Sequence, residues 1–388
     1  VMGLVLLRYG EIGLKGQNRA YFTRRLRHNV RQALKANGIE GRVWQEGQRL
    51  YLEVEEQEAA VEAVQRVAGL VSLSPVAVVP PRLEAIAEEA VSLARREGVG
   101  ERTFRVTANR ADKSFPLISP EIERQVGAAV VEATGARVRL AGADVEIGIE
   151  VQRGRALLFG AKIAGPGGLP LGSQGKVVAL LSSGIDSPVA AWLMMKRGCG
   201  VIPVHFSLDQ AQADRVQSIV DALNRHAYGY PLKPIVLSHW EVVAPVVERL
   251  RELRQERWAC IMCKRAMLAR AAAIAQEIGA SALVTGDSLG QVASQTLSNL
   301  EVVSHGISKP ILRPLIGMDK TEIMDLARRI GTYEPSTARS HEPDGQDYAC
   351  PFLPSRPVTQ ATLEKLLALV AEMEEPRGEH VAVEEADV

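Results

Sequence analysis

Val177-Val178-Ala179-Leu180-Leu181-Ser182-Ser183-Gly184-Ile185-Asp186-Ser187 decides how the second half of this chain is read. Residues 177–181 form a short, nearly continuous apolar run, the pattern of a strand buried on both faces of a parallel sheet. A helix is expected over 188–196, so 182–187 is a strand-to-helix loop. Its residues are small, and Gly184 can take backbone conformations closed to other residues. Backbone N–H groups and hydroxyls at a helix N-terminus suit a phosphate. The loop lacks the Gly-Lys-Ser/Thr ending of a Walker A motif, and no G-x-G-x-x-G follows the strand. Without a ligand, the stretch would be an ordinary strand-to-helix turn.

Outward from the loop, further apolar strands are expected at 201–206, 234–237 and 282–285, alternating with helices. That pattern is the doubly wound α/β class. Ahead of the loop, residues 164–172 (Ala-Gly-Pro-Gly-Gly-Leu-Pro-Leu-Gly) read as a linker. Before the linker stand two α+β units. The first has a strand at 3–8, a glycine-bearing loop at 9–17, a helix at 19–35 stopping near Asn37-Gly38, strand material at 43–54 and a helix at 58–67. The second has a helix at 83–96, a strand at 103–107, a helix at 120–134 opened by Ser119-Pro120, and strands at 145–151 and 156–163.

The chain has 388 residues, which favours two or three domains. Hydrophobic residues at 46% and charged residues at 24% are the balance of a soluble globular protein. No apolar run approaches the ~18–20 residues that span a bilayer, and the first residues do not read as a signal peptide. A cytoplasmic protein with no membrane partner is expected. The net charge of zero hides an asymmetry. Residues 1–35 carry Arg8, Lys15, Arg19, Arg24, Arg25, Arg27, Arg31 and Lys35 against Glu11 alone, whereas the chain ends in an acidic tail. The basic head suits nucleic-acid phosphates, with Lys15, Arg19 and Arg24 as candidate contacts. The plainer reading of both ends is a solvated surface.

Four cysteines do not make a disulfide framework in a chain of this length. Cys260 and Cys263 form a C-x-x-C on one face at the start of an expected helix. The helix N-terminus and the adjacent Lys264 and Arg265 are expected to favour thiolates there. Cys350 stands far downstream in Asp347-Tyr348-Ala349-Cys350-Pro351. Cys199 opens a buried strand and reads as packing.

The 182–187 loop resembles the pyrophosphate-binding loop (PP-loop) of ATP pyrophosphatases, Ser-Gly-Gly-x-Asp-Ser, with Ser183 where glycine is usual. Those enzymes split ATP between the α- and β-phosphates and pass AMP to a carbonyl oxygen. Val284-Thr-Gly-Asp-Ser-Leu-Gly-Gln-Val-Ala-Ser-Gln-Thr-Leu297 is similar, almost residue for residue, to the tRNA 4-thiouridine sulfurtransferase family. So are Arg8-Tyr-Gly-Glu-Ile-Gly-Leu-Lys-Gly16, Gly168-Leu-Pro-Leu-Gly-Ser-Gln-Gly-Lys176 and Arg313-Pro-Leu-Ile316, in the same order. The resemblance implies a ferredoxin-like α+β domain (1–60), a THUMP RNA-binding α+β domain (61–165) and a doubly wound parallel-sheet PP-loop domain of the adenine nucleotide alpha hydrolase type (173–388). Residues 104–115 look like the THUMP strand and loop, with Arg110 and Lys113 as RNA contacts.

The implied activity is ATP-dependent thiolation of a tRNA uridine, expected at position 8, through an adenylylated uridine. A role in thiazole and thiamine biosynthesis is open. ATP contacts carry over to Leu180, Leu181, Ser182, Ser183, Gly184, Asp186, Ser187, His205, Phe206, Lys264 or Arg265, Gly286 and Gln295. Asp186 is expected to help hold Mg2+. For His205, a packed strand-end histidine is the plain alternative. Cys350 matches the family's sulfur-handling cysteine. Two sulfur chemistries stay open. Either Cys350 is a redox cysteine with the C-x-x-C auxiliary, or Cys260, Cys263 and Cys350 hold an iron–sulfur cluster of the 4Fe-4S type, the preferred reading, with one iron left unligated. Zinc fits less well, because three cysteines leave a structural site incomplete. Three unrelated thiols are the bland reading. No cysteine follows Cys350, so sulfur is expected from Cys350 itself, from a cysteine desulfurase persulfide or from free sulfide. A homodimer is compatible with the resemblance. The alternatives are a PP-loop amidotransferase or ligase acting on a small molecule, and a non-catalytic RNA-binding adaptor.

Overall fold

The structure is a computed structural model and describes residues 2–47, 49–338 and 350–375. The residues just before Cys350 and the acidic tail lie outside the described residues. The chain divides into two compact units. One holds the described residues up to 174 together with 195–200 and 224–231; the other holds 175–194, 201–223 and the chain from 232.

In the first unit β1 (Gly3–Tyr9) leads into α1 (Arg19–Ala36), β2 (Gly41–Glu46), β3 (Arg49–Val54), α2 (Gln57–Val64) and β4 (Leu70–Val79). Then come α3 (Leu83–Arg96), β5 (Thr103–Arg110), α4 (Ser119–Thr134), β6 (Arg137–Val138), β7 (Val145–Gln152), β8 (Arg155–Phe159) and β9 (Ile163–Ala164). The strands form one sheet in the order β2-β3-β1-β4-β8-β7-β5-β6, with β9 on β4. β4 is shared: its early residues pair with β1, and Ala77–Val79 pair with β8. Phe22, Leu26, Val30 and Ala33 recur at helical spacing on α1 and bury against Val5, Leu7, Leu50 and Leu52. Each fully buried aliphatic side chain there contributes about 1.5–3 kcal/mol. A second core lies under α3 and α4. A smaller apolar cluster of Leu4, Leu6, Tyr51, Val76 and Leu157 lies on the other face, and polar ties add to it: Arg49 pairs with Glu150, Gln152 Nε2 donates to Tyr51 Oη at 2.8 Å, and Arg155 reaches Glu46 at 2.7 Å. They join the β2–β3 hairpin to β7 and β8.

Several expectations change. The 43–54 stretch is a hairpin turning at Gly47, whose φ is +60°. The 9–17 loop is wound into two 3-10 turns. The strand expected at 156–163 breaks after Phe159, because Gly160 lies against Glu97 and the chain then crosses to pair Ile163 with Leu73. A boundary at 60/61 would cut α2, whose Val61 and Val64 share a core with Leu70 and Leu73. The 164–172 linker is packed rather than loose. Leu169 and Leu171 are buried, and Arg25 Nε and Asn29 Nδ2 donate to Leu171 O.

The second unit runs β10 (Lys176–Leu180), α5 (Asp186–Lys196), β11 (Gly200–Ser207), α6 (Gln210–Asn224), β12 (Ile235–Ser238), α7 (His239–Glu252), α8 (Ala259–Glu277) and β13 (Ala282–Val284). It ends with α9 (Leu297–Ser304), β14 (Ile311–Leu312), α10 (Lys320–Ile330), α11 (Tyr333–Thr337) and α12 (Leu363–Glu374). The sheet order is β12-β11-β10-β13-β14, with β10–β13, β11–β12 and β13–β14 parallel. Among the described residues no helix is long and apolar enough to cross a membrane.

Candidate functional site

The loop after β10 is closed by its own serines. Ser182 N donates to Ser187 Oγ at 2.8 Å, the two hydroxyl oxygens lie 2.9 Å apart, and Gly184 N donates to Ser182 Oγ. The N-terminus of α5 follows directly, where unpaired helix N–H groups attract anions. Gly286, just past β13, presses on this turn: a Cβ there would sit 2.7 Å from Ser187 N and 2.8 Å from its Cα. Glycine is therefore required for the two strand ends to meet.

Asp186 opens α5 and is held on both oxygens. Lys320 Nζ, the first residue of α10, is 2.6 Å from Oδ1, and Gln291 Nε2 donates to Oδ2 at 2.9 Å. Lys320 was not foreseen. Asp319 and Glu322 form a capping box that marks the helix start in sequence, but nothing local names its partner.

Behind the loop Asp287 is 2% exposed and collects four donors. Lys264 Nζ and Gln295 Nε2 reach Oδ1; Thr285 Oγ1 at 2.7 Å and Arg313 Nε at 3.2 Å reach Oδ2. Burial pushes this carboxyl up, but Lys264, then the Thr285 hydroxyl and Arg313, outweigh it and hold the group below its ordinary range. Lys264 and Gln295 thus converge on a residue that the reading of motifs quoted without a role. Arg265 points elsewhere, donating to Val302 O at 2.7 Å and His305 O at 2.8 Å.

His205 and Phe206 lie at the carboxyl end of β11, beside Leu180 and Leu181 of the neighbouring strand. His205 Nδ1 is 2.8 Å from Leu181 O, so that nitrogen donates. Burial lowers the pKa of the imidazole, against the opposing pull of the Leu181 carbonyl. Leu180, Leu181, the 182–187 loop, His205, Phe206 and Gly286 therefore gather at the carboxyl ends of β10, β11 and β13, where open α/β sheets bind ligands.

The cysteines contradict one expectation. Cys260 is half-buried and Cys263 buried in the first turns of α8, and Cys350 is exposed. Burial raises both C-x-x-C thiols, Cys263 to about 12, and the charge of Cys350 adds to the rise in each. Thiolates are disfavoured chiefly by burial; Lys264, paired with Asp287, lowers only Cys260 and does not outweigh it, while Arg265 donates to Val302 O and His305 O. Among the described residues no three His, Cys, Asp or Glu side chains form a group that could hold a metal ion. Cys199 is buried and burial raises its thiol, as packing requires.

In the first unit, Arg19, Ala20, Thr23, Arg24 and Arg27 of α1 and Gln45 of β2 line a cavity of about 310 Å³. Arg27 Nε is buried without a partner. Arg27 was not singled out, although 19, 23 and 27 make one stripe at helical spacing. Lys15 instead lies over the Phe22 ring, 5.5 Å from its centre. Arg110 donates to Phe115 O at 3.2 Å and closes its own loop, from which Lys113 projects into solvent.

Three family models match the chain: the ThiI model, described as thiamine biosynthesis protein, over residues 172–374; the ThiI ferredoxin-like domain over 4–74; and the THUMP domain over 81–159. A probable tRNA sulfurtransferase of Thermococcus kodakarensis is 43% identical over 385 residues, covering 97% of this chain and 99% of the relative. One of Thermus thermophilus is 42% identical, covering 99% and 93%. Among solved structures, a 4-thiouridine synthetase in complex with RNA and bound ATP superposes with a TM-score of 0.82 at 32% identity, covering 96% of this chain and 95% of that one. PH1313 of Pyrococcus horikoshii gives 0.68 at 29% identity, covering 85% and 99%.

Proposed function

The chain belongs to the ThiI family, and on that premise we propose that it converts a uridine of tRNA to 4-thiouridine at the expense of ATP. The observation that carries this reading is the serine-closed loop at 182–187, packed against Gly286 at the start of α5. Its N–H groups and hydroxyls receive the phosphates, while Leu180, Leu181, His205 and Phe206 take the adenosine. Lys264, oriented by Asp287, and Gln295 complete the nucleotide site; Arg265 does not, because its guanidinium is committed to α9. Asp186 would hold Mg2+ together with phosphate oxygens, since Mg2+ needs only one or two carboxylates when phosphates supply the rest. The α1 arginines and Lys113 grip RNA through phosphates.

The uridine O4 attacks the α-phosphorus, pyrophosphate leaves, and the oxygen becomes part of a good leaving group. Sulfur then attacks C4 and AMP departs with the former carbonyl oxygen. When sulfur arrives as a desulfurase persulfide, Cys350 takes its outer sulfur and frees the desulfurase thiol, that sulfur attacks C4, and a thiolate of Cys260 or Cys263 then breaks the S–S bond, leaving a disulfide that an external thiol reduces; free sulfide would attack C4 directly, with no change of oxidation state. The donor set of Cys260, Cys263 and Cys350 fits an iron–sulfur cluster in kind. Burial, with the field of Cys350, raises the Cys260 and Cys263 thiols, whereas bound metal would drive them to thiolates. Such a cluster would supply an open iron for hydrosulfide. The matching family model is described as a thiamine biosynthesis protein, and sulfur delivery to a thiazole is the second reading of the same chemistry.

Release of pyrophosphate stimulated by tRNA, with labelled AMP appearing on the RNA, tests the first half-reaction. Cys350→Ala should keep that release and lose thiolation. Loss of both, or of neither, contradicts the assignment.

A further inference from the structure

We propose that Phe352 is a positioning residue whose ring, clamped by His239 and Trp240, holds Cys350 at the carboxyl edge of the parallel sheet. This rests on the reading of Cys350 as the sulfur-handling thiol.

Cys350 begins a tight turn, with Leu353 N donating to its carbonyl at 3.0 Å. The thiol is exposed, so its place depends on what holds the chain around it. Two residues on, the Phe352 ring stacks on His239, with centroids 5.6 Å apart and planes 14° apart. Trp240 meets the same ring edge-on at 5.2 Å and 72°. Both are favoured arrangements for aromatic pairs, and both are directional.

The jaws are themselves fixed. His239 and Trp240 open α7 directly after β12, where Ser238 Oγ caps the helix by accepting from Glu241 N. Trp240 Nε1 donates to Leu208 O at 3.0 Å, one residue past β11. The clamp is therefore tied to the ends of two adjacent strands, the edge at which His205 and Phe206 lie. Downstream, Val358 N donates to Arg257 O at 3.1 Å, just ahead of α8 and its C-x-x-C. Asn299 Nδ2 donates to Val358 O at 2.8 Å, and Asn299 Oδ1 accepts from Ala361 N. The segment thus runs from the β12–α7 junction to the start of α8, and the mutual influence of Cys350 on Cys260 and Cys263 agrees with that path. An aliphatic residue at 352 would keep the burial but lose the ring geometry that directs the turn.

The test uses the full chain with tRNA, ATP, cysteine and a cysteine desulfurase, whose persulfide passes its outer sulfur to Cys350, and an external thiol that reduces the disulfide left after each turnover. It compares wild type, Phe352→Ala, Phe352→Tyr and Cys350→Ala. Phe352→Ala should leave tRNA-stimulated pyrophosphate release near the wild-type rate and slow 4-thiouridine formation by about tenfold or more, the order expected for a misplaced reacting group. It should also slow disulfide formation between Cys350 and the C-x-x-C under diamide, which takes up the two electrons; peptide mapping reads the product. Phe352→Tyr should restore both rates. Unchanged thiolation or unchanged cross-linking in Phe352→Ala overturns the clamp. Should Phe352→Ala also lose pyrophosphate release, Trp240→Leu removes a jaw instead and must show the same split; equal losses there overturn the clamp too. Thiolation surviving in Cys350→Ala would instead refute the role of the cysteine, and the cross-linking rates would still judge the clamp.

Discussion

The nucleotide end and the sulfur end of the second unit are built on opposite terms. Around the 182–187 loop the charged groups are already satisfied. Asp186 has Lys320 and Gln291, and Asp287 has Lys264, Arg313, Thr285 and Gln295. At Cys260 and Cys263 burial, with the field of Cys350, raises both thiols above their ordinary range, and Lys264 offsets this only in part at Cys260. The contrast teaches a division of labour. The proposed ATP site is organised in advance around Asp287, whose donors are already in place before charge develops. The thiols await something brought from outside, whether sulfur or metal.

The largest expected effect would come from breaking the organised end. Asp287→Asn leaves Lys264 and Arg313 charged beside a neutral amide in a buried place, and should cost about 3–5 kcal/mol in denaturant unfolding. The depressed carboxyl of Asp287 contributes stability that is complete above its ordinary pKa of 3.8 and lost as pH falls through the lower folded value. The deficit of the variant should therefore shrink below pH 3.8; a deficit independent of pH would show that the charge is not what Asp287 supplies.

Gly286→Ala comes next. Its methyl group would meet Ser187 N and shift the turn, and adenylation should fall by about 100-fold with little loss of tRNA affinity. Rates within error of wild type would mean the turn gives way without consequence. In the first unit Arg27→Gln should weaken tRNA binding modestly and reduce the slope of log K against log salt by about 0.9, the share of one phosphate. An unchanged slope would remove the α1 cavity from the RNA interface. The smallest test discriminates among the thiols. At pH 8 iodoacetamide should label exposed Cys350 ahead of Cys260, and Cys263, raised to about 12, last. Fast labelling of Cys263 would erase the contrast between the two ends.

Much of this was legible in order along the chain. The apolar run at 177–181 and the small residues after it placed the loop, and α3 begins and ends where the helical spacing put it, at 83 and 96. Lys264 and Gln295 were legible as candidates for the proposed site, but their meeting point was not. Asp287 looked like one more member of a motif, and only burial among Thr285, Arg313, Lys264 and Gln295 makes it the hub.

Local pattern by itself determined most of the strands and helices, the strand-to-helix loop at 182–187 and the placing of two cysteines on one helix face. These depend on neighbours a few residues apart, and period and side-chain size report such neighbours directly. Tertiary structure decided which cation each carboxylate keeps, that Arg265 turns away, that the α8 thiols stay protonated and that the 164–172 segment is docked. Those outcomes depend on burial and on partners far away in sequence, such as Asp186 with Lys320. Desolvation and long-range pairing leave no periodic trace in the chain.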